Sequence, residues 1–338
     1  MGNLKISAPH YSSKITAVAL IGLFVAFPAN PANGQHKRTI VEDGIGLSVY
    51  DYSDRDDENR IPIIYFHGTS SSKREPDLLV GQLKKKKRIL VSFDRPGYGD
   101  SCSHYFGCLD DYDRWAKEKL LPAIEKALGY KPKRYDLVSM SGGAVFAMRT
   151  VHVLPKETRK ISLLSAGLFA RPVGGEGQYE RARRLAVNRP RVARWIVKVA
   201  NRNPELSRAL SVKKFSAPDK AFAECHRELH VKLFVDATKC GEAGIVQDAR
   251  LQLCDMSYAK PLPEGVKGEI WKGACDLTVS HESSKLLAKK TGIELTVIEN
   301  EGHLSSLPLA FEKSVLSHEV ESSRAKVSNK TENSAKNR

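Results

Sequence analysis

The sequence feature that most constrains the fold is the junction Ser139-Met140-Ser141-Gly142-Gly143, where an apolar run meets a helical pattern. The run that starts at Tyr135 has the length and composition of a buried strand, and an apolar helical pattern follows the junction directly. Small residues stand two positions before and two positions after Ser141. That spacing predicts a sharp strand-to-helix turn that lifts one hydroxyl out of a sheet, as a serine nucleophile requires.

Short apolar runs alternate with helical patterns along most of the chain. This alternation predicts an α/β fold with a mostly parallel sheet covered on both faces, preceded by two antiparallel strands around Gly44-Ile45-Gly46. The predicted parallel strands start at Ile61, Arg88, Tyr135, Ile161, Glu269 and Ile293, and helices are predicted near 74–86, 110–129 and 142–154.

Composition divides the 338 residues into five parts. Lys5 and Lys14 precede an apolar run of signal-peptide length, Ile15 to Phe27, and small residues follow it. Residues 1–34 are therefore predicted to be a signal peptide or an uncleaved signal anchor, which makes the protein exported, either periplasmic or secreted. The α/β core is predicted over 35–167 and 259–317, a helical insertion over 168–258, and a disordered polar tail over 318–338.

The net charge of +15 is concentrated in the first half of the insertion. Between residues 168 and 214, twelve lysines and arginines face three glutamates. The pattern fits either a solvated helix face or a lid that attracts anionic substrates or surfaces. Because no nucleic-acid motif is present, nucleic acid is not an expected partner.

The six cysteines permit disulfides in an exported protein. Cys102 and Cys108 lie close enough in sequence to pair, and Cys225 could pair with Cys240 or Cys254, but spacing leaves the connectivity open. The cysteines lack metal spacing with histidines, so neither a metal site nor a cofactor is expected.

A serine nucleophile needs a histidine base and a carboxylate that orients the histidine. Asp276 follows a predicted strand and a glycine turn, although an aspartate there is also a good helix N-cap. His303 follows the last predicted strand, downstream of Asp276. His281 is too close to Asp276 and His318 lies at the chain's polar end, which leaves Ser141, Asp276 and His303 as the candidate catalytic residues.

The charge that develops on an attacked carbonyl oxygen needs two N–H donors, known as an oxyanion hole. One donor is expected from Gly142, directly after the nucleophile. The loop His67-Gly68-Thr69 follows the strand that starts at Ile61, and Thr69 is the expected second donor.

Together these motifs resemble the α/β-hydrolase fold superfamily with a helical cap. His67-Gly68 resembles its oxyanion loop, Asp94 to Ser101 its loop after the fourth strand, Ser139 to Gly143 its nucleophile elbow, Gly273 to Asp276 its acid turn, and Gly302-His303 its histidine loop. The order Ser…Asp…His is that of the superfamily. Ser139 departs from the pattern, since glycine is commonest at that position. A serine nucleophile also argues against the haloalkane dehalogenases and epoxide hydrolases, which use aspartate.

The resemblance implies a cofactor-free serine hydrolase that forms an acyl-enzyme from a carboxylic ester or related acyl substrate. The alternatives are an acyltransferase or thioesterase, a C–C hydrolase with the same three residues, or a non-catalytic relative that binds a ligand. The expected partner is a small acyl substrate, with anionic substrates favoured by the basic insertion, and membrane contact is expected only through an N-terminal anchor.

Overall fold

The computed structural model describes residues 36–53, 61–168, 184–254 and 256–316. The predicted signal segment, residues 169–183 of the insertion and the predicted polar tail lie outside the described residues. Among those described, no helix combines the length and the apolar character needed to cross a bilayer.

The described chain forms one eight-stranded sheet. Its strands are β1 (Lys37–Glu42), β2 (Ile45–Asp51), β3 (Ile63–Phe66), β4 (Ile89–Phe93), β5 (Tyr135–Met140), β6 (Thr158–Leu164), β7 (Lys267–Gly273) and β8 (Glu294–Ile298). They lie in the order β1-β2-β4-β3-β5-β6-β7-β8. β2 pairs antiparallel with both β1 and β4, and the pairs from β4 to β8 are parallel.

The α-helices of the described chain flank the sheet or build the insertion. They are α1 (Val80–Lys85), α2 (Leu109–Trp115), α3 (Leu121–Leu128), α4 (Ala144–Val153), α5 (Pro190–Arg202), α6 (Pro204–Val212), α7 (Ala217–Cys225), α8 (Arg227–Ala237), α9 (Ala243–Cys254), α10 (His281–Thr291) and α11 (Ser306–Leu316). The predicted α/β fold with a mostly parallel, doubly covered sheet is confirmed.

Two local predictions needed adjustment. The β1–β2 turn is centred on Asp43 and Gly44, both with positive φ, rather than on residues 44–46. The helix predicted over 110–129 consists of α2, a π-helical turn at Ala116–Leu120 and α3. Pro122 has no N–H to donate to the carbonyl four residues earlier. This missing donor explains why the hydrogen bonds change from the α-helical to the π-helical pattern just before Pro122.

Alternating side chains of the central strands point to the two covered faces of the sheet. In β3, Ile64 and Phe66 belong to the cluster that contains Phe146 of α4. The neighbouring Ile63 and Tyr65 belong to the cluster on the other face, with Phe311 of α11. This two-sided burial fixes the register of the strands, and with it the positions of the loops at their carboxyl ends.

A disulfide between Cys102 and Cys240 ties the loop after β4 to the segment between α8 and α9. The pairing of Cys102 with Cys108 and that of Cys225 with Cys240 or Cys254, all suggested by sequence spacing, are not formed. Cys108 and Cys225 are exposed free thiols. The insertion folds back onto the loop after β4, so that Cys240 approaches Cys102 across 138 residues of sequence.

Candidate active site

Ser141 lies directly after β5 in a strained turn. It has a φ of 49°, a left-handed conformation that a residue with a Cβ adopts at a cost. A short 3-10 turn, Ser141–Gly143, leads at once into α4. The predicted strand-to-helix junction is therefore present, with the serine at its apex and the first N–H groups of the helical segment beside it.

Gly143 lets this turn pack against the backbone after β3. A Cβ at position 143 would overlap the carbonyl oxygens of Phe66 and His67. Because backbone atoms cannot move aside cheaply, only glycine fits there. The close approach brings the turn that carries Ser141 next to the His67-Gly68-Thr69 loop.

Asp276 and His303 form a buried hydrogen-bonded pair. His303 Nδ1 lies 2.9 Å from Asp276 Oδ2, and the other carboxylate oxygen accepts from the N–H groups of Thr278 at 2.8 Å and Val279 at 2.9 Å. This arrangement fixes the orientation of the imidazole ring and leaves its Nε2 for another partner. Asp276 thus orients a histidine in addition to satisfying N–H groups at a turn.

Burial alone would raise the pKa of Asp276, but several attractive interactions outweigh it. The charge of His303 and its hydrogen bond act first, followed by Lys272 and the Val279 N–H, and together they lower the pKa to about 2. Lys272 is itself buried, with its Nζ 3.0 Å from Asp276 Oδ2. Asp276 is therefore a carboxylate at neutral pH.

Ser141 and His303 are brought to the same edge of the sheet through Ser165. Met140 and Leu164 are paired residues of β5 and β6, so Ser141 and Ser165 follow at the same level, and Ser165 also has a positive φ of 50°. Ser165 Oγ donates to the carbonyl oxygen of His303 at 2.8 Å. No hydrogen bond joins Ser141 Oγ to His303 in the part of the chain that the structure describes.

Thr69 and Gly142 lie in contact. A Cβ at position 142 would overlap the Thr69 hydroxyl and approach Gln252 Nε2 to 2.7 Å. The N–H of Gly68 already donates to Glu75 Oε2 at 3.0 Å, which leaves Thr69 as the next available donor in the loop. The structure thus brings the two expected oxyanion donors together beside Ser141.

Asp248, on α9 of the insertion, holds Thr69 in place. Its carboxylate accepts a hydrogen bond from Thr69 Oγ1 at 3.2 Å and from Tyr98 Oη at 2.7 Å. Arg95 pairs with it through two bonds of 2.6 and 2.8 Å, and both side chains are completely buried. The arginine is stacked between the rings of Tyr98 and Phe146.

A model of the alpha/beta hydrolase family matches residues 63–312 of the chain, which include all of these residues. The chain belongs to this family. No curated protein matches it. Family membership makes the protein a hydrolase.

Solved structures of low sequence identity share the fold of this alpha/beta hydrolase. The enol-lactonase from Burkholderia xenovorans LB400 is 17% identical with a TM-score of 0.58, over 82% of this chain and 98% of that one. A bromoperoxidase from Bacillus anthracis is 15% identical with a TM-score of 0.57, over 83% and 98% of the two chains. A structure from work on carboxylesterases of the thaumarchaeon Nitrososphaera gargenis is 13% identical with a TM-score of 0.53, over 87% and 100%.

The histidine loop of this hydrolase is held by another residue of the insertion, Asp219. Asp219 Oδ2 accepts from the N–H of His303 at 2.8 Å, and Oδ1 accepts from Leu304 at 2.7 Å and Ser305 at 3.0 Å. Ser216 Oγ donates to the same carboxylate at 2.8 Å. The carboxylate thus satisfies three consecutive backbone donors just before α11 begins.

Sequence reasoning missed four buried polar residues around the site, namely Asp219, Asp248, Gln252 and Lys272. Asp248 and Gln252 belong to a helix in which polar side chains point inward, so its pattern resembles that of an ordinary solvated helix face. Gln252 Nε2 donates to the carbonyl of Gly142 at 3.2 Å. Lys272 alone carried a signal, because a lysine within a buried parallel strand needs a carboxylate partner.

Within the described residues, no group of three or more histidine, cysteine or acidic side chains could hold a metal ion.

Proposed function

We propose that this hydrolase cleaves carboxylic esters or related acyl compounds through an acyl-enzyme on Ser141. One observation carries the proposal: the buried Asp276–His303 hydrogen bond lies at the sheet edge that also presents Ser141 on a strained turn. A hydroxyl, an oriented imidazole and a carboxylate at one edge are the groups that nucleophilic acyl transfer requires.

In the proposed first half-reaction, Ser141 Oγ attacks the carbonyl carbon and His303 Nε2 takes the hydroxyl proton. Asp276 stabilises the imidazolium that forms. The N–H groups of Gly142 and Thr69 donate to the carbonyl oxygen as it becomes negative. Collapse of the tetrahedral intermediate expels the alcohol, which receives the proton from His303.

In the second half-reaction, His303 removes a proton from water, and the resulting hydroxide attacks the acyl-enzyme carbonyl. The same two N–H groups stabilise the second tetrahedral intermediate, and the proton returns to Ser141 as the acid leaves. The carboxylesterase and enol-lactonase relatives support an ester-type substrate, since both names describe cleavage of ester bonds.

The proposal is tested with a matched pair of alanine variants two residues apart. Ser141→Ala is expected to lower kcat on p-nitrophenyl acetate by several orders of magnitude and to abolish labelling by a fluorophosphonate probe. Ser139→Ala removes a buried hydroxyl that makes no hydrogen bond in the described part of the chain, and is expected to retain activity and labelling. Full activity in Ser141→Ala would disprove the proposed nucleophile.

The same assay separates hydrolysis from acyl transfer. With p-nitrophenyl acetate and an added alcohol acceptor, a hydrolase releases mainly acetic acid, whereas an acyltransferase yields mainly the acetyl ester of the acceptor. A panel of acyl chain lengths on the same leaving group then defines the acyl specificity.

We also propose that the enzyme is exported, as residues 1–34 predict. The Cys102–Cys240 disulfide supports this, because such bonds persist in oxidising compartments. Fractionation of cells that produce the full chain is expected to find activity outside the cytosol. Activity confined to the cytosolic fraction would contradict export.

A further inference from the structure

Helix α5 carries two apolar faces, and only one of them packs against the rest of the described chain. Ala193 and Val197 are buried. Val192, Trp195, Ile196 and Val199 stand at i, i+3, i+4 and i+7, so they form a separate stripe along the helix. All four are exposed: Trp195 at 64% and the other three between 41 and 44%.

The next helix, α6, also exposes apolar side chains. Leu206 and Leu210 of α6 are one turn apart and are 54% and 53% exposed. Folding buries most large apolar side chains, and a contiguous exposed apolar patch on a monomer marks a surface that binds something. The stripe contributes nothing to the core, since the opposite face of α5 already makes that contact.

Cationic side chains adjoin this stripe. Arg191, Lys198 and Arg202 are exposed on the flank of α5 between its apolar stripe and its polar side. None of the three forms an ion pair with a carboxylate within the described residues. The face therefore combines an apolar strip with positive charge that is not neutralised locally.

A surface cavity of about 460 Å³ lies on the same flank of α5. Its lining includes Arg194, Lys198, Arg202 and Lys239, with Glu242 as the one acidic lining residue. Glu242 pairs with Arg194 at 2.7 Å and Lys239 pairs with Asp100, so the remaining positive charge of the lining comes from Lys198 and Arg202. A cavity of this charge suits a phosphate group.

We propose that the α5–α6 face binds the surface of an anionic phospholipid bilayer. The apolar stripe enters the boundary between headgroups and acyl chains, and the flanking cations contact lipid phosphates. Helices that lie in a membrane interface have the same arrangement, with tryptophan and aliphatic residues on one strip and arginine and lysine beside it.

Charge complementarity favours lipid over a second copy of the chain. A symmetric dimer through this face would place the same positive side chains of both copies against each other, which costs free energy. An anionic bilayer offers negative charge and apolar depth together. The inference does not depend on the proposed esterase activity, because none of the residues that carry it has a role in the proposed reaction.

The test uses the full chain and sedimentation with vesicles of phosphatidylglycerol and phosphatidylcholine, compared with phosphatidylcholine alone. We expect binding to the anionic vesicles that weakens as salt is added. Trp195→Ser with Ile196→Ser should weaken this binding at least tenfold, and Arg191→Glu with Lys198→Glu should do the same. The predicted signal segment is common to every variant and cannot cause a difference between them.

Two matched controls keep the result specific. Val41→Ser changes an equally exposed apolar residue on β1, and Lys117→Glu with Lys119→Glu reverses two exposed charges near α3. Both are expected to leave vesicle binding unchanged. A wild-type circular dichroism spectrum and urea unfolding midpoint show that each variant is folded, and a variant that loses vesicle binding while keeping both supports the proposal.

Three results would overturn it. The first is unchanged vesicle binding in the Trp195 and Arg191 double variants. The second is a dimer in light scattering that Trp195→Ser dissociates while vesicles are not bound, which would identify a second copy as the occupant. The third is poor acrylamide quenching of the fluorescence that Trp195→Phe removes, measured without vesicles, which would show that the chain itself covers the stripe.

Discussion

The carboxylate of Asp219, on helix α7 of the insertion, accepts a 2.8 Å hydrogen bond from the backbone N–H of His303. The same carboxylate holds the next two N–H groups, of Leu304 and Ser305. The side-chain position of the proposed base therefore depends on a residue 84 positions away in sequence. The insertion thus contributes to the position of the proposed base.

Asp219→Ala should lower kcat by about 10²-fold, the effect expected when a catalytic group is displaced by about 1 Å. KM should change much less, because Asp219 contacts the histidine loop and has no role in binding substrate in the proposed reaction. Asp219→Asn should recover part of the rate, because its amide oxygen still accepts hydrogen bonds. Steady-state kinetics on one soluble ester measure all three values.

Glu224→Gln is the matched control, because Glu224 lies on the same helix and pairs with Arg208 at the surface. It should leave kcat unchanged. If Asp219→Ala and Glu224→Gln have equal kcat, or if Asp219→Asn is no faster than Asp219→Ala, Asp219 does not position His303 through these hydrogen bonds.

The sheet and the turns at its edge could be predicted because their signals are local. The strand, the small residues and the helix around Ser141 are consecutive in sequence, and so are the glycine turns that precede Asp276 and His303. Each is set by backbone sterics and by hydrophobic periodicity. The alternation that predicted the fold class follows from the same short-range rules.

Asp219, Asp248 and the Cys102–Cys240 bond could not be predicted because they depend on how the insertion packs on the core. A polar helical residue is ordinarily solvated, and nothing adjacent to Asp219 or Asp248 marks it as buried. Their partners are backbone N–H groups and Arg95, more than 80 residues away. Only the folded structure brings these groups together.

Loss of the Cys102–Cys240 disulfide should destabilise the protein by up to about 5 kcal/mol, as the chain-entropy model gives for a closed loop longer than 100 residues. Urea unfolding of the Cys102→Ser, Cys240→Ser double variant measures the change. Cys225→Ser alters an exposed free thiol and should leave the free energy of unfolding unchanged. Reductant should destabilise the wild type and Cys225→Ser but not the double variant, and equal sensitivity in the double variant would contradict the assignment.

The low pKa of Asp276 should make part of the stability depend on pH in acid. Its pKa is about 2 in the folded protein, below the value of about 3.9 for an unfolded chain. The charged form is therefore favoured by folding, and this stabilisation is present above about pH 4 and is lost as the pH falls towards 2.

We expect the difference in free energy of unfolding between the wild type and Asp276→Asn to shrink by about 2 kcal/mol between pH 5 and pH 2. Taking the difference cancels the titration of other carboxylates, which both proteins share. Chemical denaturation at several pH values measures it. A difference that stays constant across this range would show that Asp276 has an ordinary pKa.

Removing one partner of the buried Arg95–Asp248 pair should lower the free energy of unfolding strongly, whereas replacing both partners with apolar residues should change it little. Asp248→Leu leaves the Arg95 charge buried without its carboxylate, and should destabilise the protein by about 3–5 kcal/mol. Arg95→Met combined with Asp248→Leu removes both charges and should restore most of that stability, since apolar side chains fill the same space. Chemical denaturation of the wild type and the two variants tests this coupling.

Activity should not recover with stability in the double variant. Thr69 Oγ1 loses its acceptor when Asp248 is replaced, so the proposed oxyanion donor is no longer held beside Gly142. Loss of one such donor lowers kcat by about 10²–10³-fold. A double variant that is stable and fully active would show that Asp248 serves the fold alone. A double variant that is stable but slow would show that Asp248 positions the oxyanion donor Thr69.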